Sequence, residues 1–578
     1  MGWIVGLGAM FVALAGFPLV RPLVDLLAAD GTLEAFTPQR HLWLRPAFGL
    51  AALAVFLLMW GMNRKPFVLE RIVFHMREGW RALRADFRPA VTEKSEWLRL
   101  GGLIGLAILL RLPFLDQPLG HDEAYTYIGF ARRSLWAVIT DYHLPNNHIF
   151  HTLLVHITTR LLGNAPAVMR LPAFMGGVLS VAAAYALGRM WYNRRAGWLA
   201  AGLVAVTPLL VGGSADGRGY TLLALFSLLG WVLATYLQTH FNGAGWLLLS
   251  IITALGFYTV PVMLYPAGAM YLWLFLSLMV EPEITQAYGS RRMFLLVLAV
   301  SGTLAAVLGY FLYLPVLLVS GPQSLLANPF VQPLAWDVFL PTLATRLGET
   351  WQQWQSDVHP LLTIWAVAGL ILEVVLHRRA SRQRLHVAVP VTVWVCILLF
   401  VQRPNAWRKI WIWLLVLLLV LAAAGWVALL DWLSRRRDWP EKRVSLLVQG
   451  WLIALGLLAL PWAIQRGAQL AQPAAPERTA DWIAEQMDDG GIVLADGMDA
   501  PPIWYYLLRS GGKAEWFDDL QQRESYTHAF VVVNTQDPHQ SLESILQAAE
   551  KWRQPPDANM CRPAIWIEPY QVYRCSPP

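Results

Sequence analysis

A dense group of polar side chains follows an apolar run that ends at Leu115. Between positions 119 and 152 the chain carries carboxylates, imidazoles, amides and guanidinium groups, at His121, Asp122, Glu123, Arg132, Arg133, Asp141, His143, Asn146, Asn147, His148 and His151. An unpaired charge inside hydrocarbon costs at least about 2.5–3.5 kcal/mol, so lipid-facing helices do not keep such groups. The stretch therefore predicts a functional site at a membrane face.

Asp122 and Glu123 are adjacent carboxylates just outside the apolar run. A carboxylate in such a place can take the proton of an acceptor hydroxyl or help to hold a divalent cation. Neighbours in a helix point about 100° apart, so one is expected to face substrate while the other orients a partner. The alternative is a helix N-cap at Asp122 with Glu123 in the first turn. The histidines, asparagines and arginines nearby favour a catalytic function for the pair.

His148 and His151 stand three residues apart and follow Asn147, which puts both imidazoles on one helix face. These groups could bind a phosphate, or His148 could complete a divalent-metal site with Asp122. Two histidines without a further ligand are a weak metal signal, and the rim of an amphipathic helix is the plain alternative. The metal thus stays open, and His121 and His151 are possible substrate contacts.

The segment 214–220, Ser-Ala-Asp-Gly-Arg-Gly-Tyr, is a second concentrated signal. The guanidinium of Arg218 is always charged and suits a phosphate, and the flanking glycines allow close approach of a headgroup. Tyr220 is expected to join Arg218 in donor binding, and Asp216 to contact substrate. The alternative is an Asp216–Arg218 pair that neutralises itself at the interface.

A basic cluster at Arg403, Arg408 and Lys409 breaks the charge pattern of the other loops. It predicts a lipid-phosphate partner, with Arg408 as the candidate ligand, and ordinary contact with lipid headgroups is the competing interpretation. Tyr258 lies between two apolar runs and is either a cavity residue or an interface anchor.

The elements that must position these groups are membrane helices. The chain of 578 residues is 56% hydrophobic and 14% charged, whereas soluble domains carry about 25% charged residues. Runs of about membrane-spanning length fall at 3–20, 46–62, 99–115, 167–190, 197–212, 219–238, 245–260, 261–279, 294–319, 361–376, 387–402, 411–432 and 444–465. The sequence therefore predicts a polytopic α-helical membrane protein with about thirteen spans.

Arginine and lysine are concentrated in alternate loops, that is, in loops on one side of the membrane. This predicts that these loops and the N-terminus are cytoplasmic. The outer loop 116–166, the turn at 214–219, the loop 320–360 and everything after 466 then face an extracytoplasmic space. ATP and nucleotide sugars are absent there, so a group-transfer donor has to arrive attached to a lipid or another carrier.

The predicted organisation has four parts. Residues 1–62 form two additional helices, 63–98 a basic cytoplasmic loop, 99–466 the membrane core, and 467–578 a small extracytoplasmic α/β domain. Within the outer loop, 123–137 and 149–162 have the apolar spacing of surface helices, and the segment 320–360 is expected to cover the site. In the tail, Cys561 and Cys575 flank a predicted hairpin, and an oxidising compartment permits their disulfide.

With these residues in place, the region 98–420 resembles the bacterial membrane glycosyltransferases related to protein O-mannosyltransferases and to the aminoarabinose transferases that modify lipid A. The resemblance rests on Asp122-Glu123 in the outer loop, on Pro145-Asn146-Asn147-His148, and on Arg218-Gly219-Tyr220. These enzymes form part of the glycosyltransferase-C superfamily. The two N-terminal runs and the segment Phe257–Val260 depart from the pattern of some relatives.

The resemblance implies a polyprenyl-phosphate-linked sugar donor, inverting transfer to an acceptor hydroxyl, and Asp122 as base or acceptor-orienting carboxylate. The acceptor would be a lipid, glycan or protein, and the location a bacterial cytoplasmic (inner) membrane. Two rival functions remain: a transporter or flippase of lipid-linked glycan, and a non-catalytic assembly protein for envelope polymers. Little intramembrane charge and no repeated halves disfavour a transporter. Loss of activity in Asp122→Asn with normal insertion would favour the enzyme over both.

Overall fold

The computed structural model describes residues 2–25, 36–64, 66–87, 94–327, 332–405, 407–470, 474–517, 525–548 and 556–577. The N-terminal part contains α1 (Gly2–Leu14), α2 (Phe17–Asp25), α3 (Pro38–Arg64) and α4 (Pro66–Phe87). The predicted basic loop 63–98 is thus largely the helix α4. It packs against the core, since Asn242 Nδ2 donates to the Gly79 carbonyl at 3.0 Å and Tyr236 Oη donates to Asp86 at 2.7 Å.

The core is helical throughout. Its elements are α5 (Lys94–Arg111), α6 (His121–Tyr125), α7 (Leu135–Thr140), α8 (Ile149–Leu162), α9 (Pro166–Trp191), α10 (Arg194–Val206), α11 (Pro208–Gly213), α12 (Tyr220–Thr239), α13 (Gly243–Thr259), α14 (Leu264–Val280), α15 (Pro282–Tyr288), α16 (Arg291–Val319), α17 (Pro322–Leu326), α18 (Trp336–Gln355), α19 (Pro360–Ala380), α20 (Ala388–Gln402), α21 (Ile412–Arg436) and α22 (Glu441–Leu470).

Among the described residues, eight helical segments are long and apolar enough to cross a membrane. They contain α5, α9, α12, α14, α16, α19, α21 and α22, while α8, α13 and α20 are shorter apolar helices. All thirteen predicted runs lie on helices, and two of them are interrupted, at Ala15–Gly16 and at Thr207. The polytopic helical class is confirmed, and the count of thirteen spans stays a prediction.

The centre of the bundle is built on close helix contacts. Trp191, Trp231 and Trp273 are fully buried and meet edge to face or tilted, with centroid distances of 5.4–6.1 Å. Helices α19 and α21 approach so closely that a Cβ on Gly425 would lie 1.8 Å from the carbonyl oxygen of Gly369. Small residues at such crossings let backbones meet, which is how membrane helices gain packing energy without a hydrophobic effect.

The outer loop has more breaks than its apolar spacing predicts. The expected helix 123–137 consists of α6, a π-helical segment Thr126–Ala131, and the separate helix α7. The chain restarts at Ser134, whose side chain accepts from the Ala137 N–H at 3.2 Å as an N-cap. The second predicted surface helix, 149–162, coincides with α8.

The tail is the predicted small α/β domain. It contains α23 (Ala475–Gln486), β1 (Ile492–Ala495), α24 (Ala500–Arg509), β2 (Ala529–Asn534), α25 (Leu542–Ala548), β3 (Cys561–Ile567) and β4 (Tyr570–Cys575). The sheet order is β1-β2-β4-β3, with β1 parallel to β2 and the other pairs antiparallel. Cys561 faces Cys575 across the hairpin, and the two form a disulfide.

The tail packs directly on the outer loop. Leu119, Ala124 and Ile128 share a buried cluster with α24 residues such as Ile503 and Tyr505. Tyr506 Oη accepts from the Leu119 N–H at 3.0 Å. Helix α24, which the sequence did not predict, thus supports the short helix α6 that carries Asp122 and Glu123.

Candidate active site

Glu123 is the buried anchor of the site. Arg170, on α9, donates through Nε and Nη2 to its two carboxylate oxygens at 2.8 and 2.7 Å. The backbone N–H groups of Gly217 and Gly120 also donate to this carboxylate, at 2.6 and 3.1 Å. Glu123 therefore joins α6, α9 and the turn that precedes α12, and it acts on the site by holding these segments together.

Asp122, unlike Glu123, is accessible to solvent. Its side chain is 49% exposed, and Oδ2 lies 3.7 Å from both Nη1 of Arg218 and Nζ of Lys409. The Asp122 carbonyl accepts from Asn146 Nδ2 at 3.1 Å, which ties α6 to the turn before α8. The adjacent carboxylates thus lie in different environments, as the angle between helical neighbours predicts, with Asp122 as the accessible one.

Arg218 and His148 bring two hydrogen-bond donors together. The Gly219 N–H donates to Nδ1 of His148 at 2.9 Å. Burial, reinforced by the Arg218 charge, holds the pKa of His148 well below its usual range, so the ring is neutral. A neutral imidazole has one proton, which must then sit on Nε2, 3.2 Å from Nη2 of Arg218. Two neighbouring donors of this kind share an anionic oxygen well.

Arg111 holds the turn at 214–219 in place. Its Nε donates to Ser214 Oγ at 2.9 Å, and its Nη1 donates to the Ala107 and Ala205 carbonyls. Gly219 is required by the close approach of the site, because a Cβ there would lie 2.6 Å from Thr259 Cγ2 and 3.2 Å from His148 Nδ1. The backbone donor at Gly219 and the guanidinium of Arg218 are therefore preorganised.

Lys409 is the second cation of the site. Its Nζ donates to Asp216 at 2.8 Å and lies 5.8 Å from the ring centroid of Tyr220. Burial raises the pKa of Asp216, and the ammonium of Lys409 partly offsets that effect. Tyr220 also meets the His148 ring edge to face at 5.0 Å.

A cavity of about 250 Å³ opens beside these groups. Its polar lining includes Asp216, Tyr220, Lys409 and Asp357, and Trp354 of α18 forms part of its wall. Pro208 and Trp354 also line a neighbouring apolar cavity of about 130 Å³ between α18, α19 and α21. Within the predicted covering segment, the end of α18 and the residues just after it (Gln353, Trp354, Ser356 and Asp357) thus lie over the polar groups, and the polar space adjoins an apolar space.

Other predicted residues lie elsewhere. Asn147 Nδ2 donates to the Val138 and Asp141 carbonyls, so this amide holds the outer loop. His121 Nδ1 lies 2.7 Å from the Met498 carbonyl of the tail.

Tyr258 is buried in an aromatic cluster and meets Tyr313 edge to face at 5.5 Å. Arg408 begins a 3-10 turn, Arg408–Trp411, and its side chain lies outside the described part of the chain.

His151 is fully buried behind the site. Burial, together with the charge of Arg218, lowers the pKa of His151 to about 3. Both ring nitrogens lack a hydrogen-bond partner among the described residues. The i, i+3 spacing does place His148 and His151 on one face, but only His148 contacts Arg218.

The sequence interpretation missed Arg170 and undervalued Lys409. Arg170 lies inside an apolar run, and a charge in such a place is a signal in itself. Lys409 belongs to the basic cluster at 403–409, from which Arg408 is the residue that the sequence favoured.

A divalent metal finds little support in the described residues. The His, Asp and Glu groups that come close enough there to share an ion are Glu373, His377 and His386, and neither Asp122 nor His148 is among them. The Ala388 N–H donates to His386 Nδ1 at 3.0 Å, so Nε2 carries the proton that it gives to Glu373 at 2.7 Å. A metal-bound nitrogen must be free of its proton. These residues therefore fit a hydrogen-bonded network that links α19 to the start of α20, and do not fit a metal ligand set.

Comparisons with known proteins agree with this architecture. Residues 146–318 match the family model described as dolichyl-phosphate-mannose-protein mannosyltransferase. The solved structure of ArnT from Cupriavidus metallidurans in the apo state is 13% identical, with a TM-score of 0.52 over 83% of this chain and 98% of that chain. The chain therefore shares the fold of this ArnT structure.

ArnT from the same organism bound to undecaprenyl phosphate is 12% identical, with a TM-score of 0.50 and the same coverage. The AglB oligosaccharyltransferase of Archaeoglobus fulgidus, in complex with an inhibitory peptide and a dolichol-phosphate, has a TM-score of 0.46 at 13% identity over 77% of this chain and 70% of that chain. No curated protein matches. In this fold Lys409, just before α21, lies 3.7 Å from Asp122 of the outer loop and 2.8 Å from Asp216 of the turn at 214–219, and Asp216 and Lys409 line the cavity of about 250 Å³.

Proposed function

We propose that the protein is a membrane glycosyltransferase that moves a sugar from a polyprenyl-phosphate-linked donor to an acceptor hydroxyl on the extracytoplasmic face. One observation carries the proposal. The cations Arg218 and Lys409 both lie 3.7 Å from the exposed carboxylate of Asp122, and Lys409 lines a cavity that adjoins an apolar space. The cations match the phosphate of the donor, the exposed carboxylate matches the reacting sugar and its acceptor, and the apolar cavity matches the lipid chain.

The cations of the site stabilise the phosphate leaving group. When the bond between the anomeric carbon and the phosphate oxygen breaks, its electron pair stays on the phosphate. Arg218, the Nε2–H of His148 and Lys409 are donors held in place near the position of the phosphate oxygen. Preorganised donors in a half-buried site stabilise developing charge far better than water does. Nε of Arg218 is buried without a partner among the described residues, which leaves one more donor for phosphate.

Asp122 is the proposed base. The acceptor oxygen attacks the anomeric carbon from the face opposite the phosphate, and its proton passes to the Asp122 carboxylate. Attack in line with a phosphate leaving group gives inversion. Glu123 does not take part directly, because Arg170 and two backbone N–H groups already engage its oxygens. The cations are the protein's own, so no step requires a metal.

The lipid part of the donor fits the apolar cavity. Leu203, Leu362, Leu370 and Leu415 contribute to its lining, and Trp351 and Trp354 stand at its α18 side. The structural neighbour ArnT is bound to undecaprenyl phosphate, which supports a polyprenyl carrier for this chain. The loop charges support an orientation in which the tail lies outside the cytoplasm, and we propose a bacterial inner membrane as the location because of the family resemblance.

The test uses the purified full chain in lipid vesicles with an undecaprenyl-phosphate-linked radioactive sugar. The expected result is release of undecaprenyl phosphate together with transfer to an acceptor in membrane extract. Mass spectrometry of cells that lack the protein should show the lipid-linked donor accumulating, which identifies the sugar. Movement of the intact donor across the vesicle without transfer would contradict the proposal and favour a flippase.

A further inference from the structure

A second cavity, of about 950 Å³, lies between α5, α10 and α22. We call it the α5–α22 cleft. Arg99 stands at one end of it, twelve residues before Arg111, which holds the turn at 214–219. Twelve residues of α-helix span about 18 Å. The Arg99 end of the cleft and the candidate active site therefore lie toward opposite faces of the membrane.

The cleft is closed at the end nearer the candidate active site. There α22 meets the end of α5, since a Cβ on Gly467 would lie 2.8 Å from the Pro113 carbonyl oxygen, and one on Gly456 would lie 3.3 Å from Leu106 Cδ2. Farther along α5, a Cβ on Gly102 would meet no atom within 4 Å, although Gly102 lines the cleft. The buried ring of Trp198 on α10 forms part of the floor. The three helices thus enclose a space that is open near Gly102.

The walls of the cleft are apolar and continue to the lipid-facing surface. Leu103 and Leu106 of α5 lie on one side, and Leu452, Ile453 and Leu457 of α22 lie on the other. Ile453 and Leu457 are 63% and 69% exposed. Both α5 and α22 belong to segments that are long and apolar enough to cross a membrane. Acyl chains can therefore enter the cleft from the bilayer.

The open end of the cleft has one cation in excess. Ion pairs there join three arginines to three carboxylates, and these residues are Arg189, Arg194, Arg195, Glu96, Asp431 and Glu441. The charges of this network balance. Arg99 lines the same end, and among the described residues no hydrogen bond or ion pair engages its guanidinium. One positive charge thus remains for a ligand.

A single guanidinium beside an apolar cleft matches the phosphodiester of a membrane lipid. The phosphodiester carries one negative charge and can accept two parallel N–H bonds from arginine. Basic side chains at the membrane surface attract such headgroups. We propose that the α5–α22 cleft binds one glycerophospholipid, with its phosphate on Arg99 and its acyl chains between α5 and α22. Ser445 and Gln449 line the cleft as well and offer polar groups to the glycerol.

The bound lipid stabilises helices that also support the candidate active site. Helix α5 carries Arg111, whose Nη1 donates to the Ala205 carbonyl of α10 at 3.0 Å. A lipid between α5, α10 and α22 fills space beside both helices. Because a ligand that binds only the folded chain stabilises it by mass action, the melting temperature should rise with the lipid concentration.

The experiment measures binding of phosphatidylglycerol and of diacylglycerol, which has the same chains but no phosphate, to the purified full chain in detergent. Native mass spectrometry gives the stoichiometry and affinity, and thermal unfolding gives the stabilisation. Arg99→Gln should weaken binding of phosphatidylglycerol by about tenfold or more, the usual effect of losing a hydrogen bond to a charged group. It should leave binding of diacylglycerol unchanged. Arg292→Gln, which changes an exposed arginine at the start of α16, is the control for charge.

A matched pair of glycine variants locates the lipid. Gly101 and Gly102 both face open space, but only Gly102 lines the cleft. Gly102→Leu should fill the cleft and abolish binding of phosphatidylglycerol, whereas Gly101→Leu should keep it. Should Gly102→Leu fold poorly, Arg99→Gln still decides, because Arg99 is exposed and its loss breaks no contact among the described residues.

Three outcomes would overturn the lipid site. The first is equal binding of phosphatidylglycerol by Gly101→Leu and Gly102→Leu. The second is an equal loss of affinity for phosphatidylglycerol and diacylglycerol in Arg99→Gln, which would exclude a phosphate contact. The third is displacement of phosphatidylglycerol by undecaprenyl phosphate, which would assign the cleft to the carrier lipid. Since the measurement is binding, a chain that transfers no sugar would contradict the proposed function and leave the lipid site standing.

Discussion

Arg170 holds Glu123 in a two-pronged ion pair, with Nε and Nη2 at 2.8 and 2.7 Å from the two carboxylate oxygens. The side chain of Arg170 has no exposed surface, and that of Glu123 is 7% exposed. Because Glu123 also accepts from Gly217, one carboxylate fixes the chain next to Asp122 and the chain next to Arg218. The distance between the proposed base and the proposed phosphate ligand therefore depends on this pair.

Breaking this pair should unfold the site. We expect Glu123→Gln to cost about 3–5 kcal/mol, the usual penalty for leaving one member of a buried ion pair alone. The measurement is thermal unfolding of the full chain in detergent, with Asp122→Asn as the matched control one residue away. Equal melting temperatures for the two variants would contradict the anchoring role of Glu123.

Asp122 and Arg218 should differ in what their loss removes. Asp122→Asn keeps the shape of the side chain but removes the base, so kcat should fall by about 10²–10⁴-fold with donor affinity nearly intact. Arg218→Ala should weaken donor binding and also slow transfer, because the same charge stabilises the leaving group. Arg218→Lys should restore only part of this, since a point charge cannot replace a two-pronged guanidinium.

Donor binding and turnover of these three variants are measured in one lipid system. Should Asp122→Asn lose donor binding while transfer per bound donor stays normal, Asp122 is a donor ligand and the assignment of the base is wrong.

Lys409 should contribute to donor affinity. Lys409→Met keeps much of the side-chain length but removes the ammonium beside Asp216 and Asp122. A hydrogen bond to a charged group contributes about 1.5–3 kcal/mol, so the donor Kd should rise about tenfold to a hundredfold. The measurement is binding of undecaprenyl phosphate, with Lys513→Met in the tail as control. An unchanged Kd would exclude Lys409 from the phosphate site.

Acid should destabilise the protein through its buried histidines. The pKa of His151 is about 3 in the folded chain and about 6.5 in an unfolded one, so the unfolded state binds more protons in between. The stability is fully present above pH of about 6.5 and falls as the pH drops toward 3, with a slope of up to about 1.4 kcal/mol per pH unit from this residue. His151→Leu should flatten the slope of unfolding free energy against pH, and an unchanged slope would contradict the burial of a neutral ring.

The proposed orientation can be tested with single cysteines in a Cys396→Ser background, because Cys396 is exposed. Gln352→Cys and Gln536→Cys should react with an impermeant thiol reagent in intact cells, and Ala380→Cys should not. Labelling at position 380 alone would invert the arrangement and move the site to the cytoplasmic face.

Several features were predictable because their causes are local in the chain. Apolar runs of sufficient length must satisfy their backbone polar groups internally, so the helices around 167–190, 219–238 and 411–432 follow from composition alone. The helix at 149–162 and the strands around Cys561 and Cys575 follow from periodicity and turn residues. The concentration of polar groups at 119–152 and 214–220 likewise indicated the candidate site, which stays a prediction.

The roles of individual polar residues were decided by the tertiary structure. Asp122 and Glu123 have equivalent chemistry in the sequence, and only the arrival of Arg170 from α9 buries one and leaves the other accessible. Lys409 gains its partner Asp216 from a position 193 residues away. Asn147, one residue before His148, turns its amide nitrogen to the loop backbone. Sequence spacing fixes which face of a helix a side chain occupies, but the partner on that face is set by how helices far apart in the chain pack together, and for a charged group the partner determines the function.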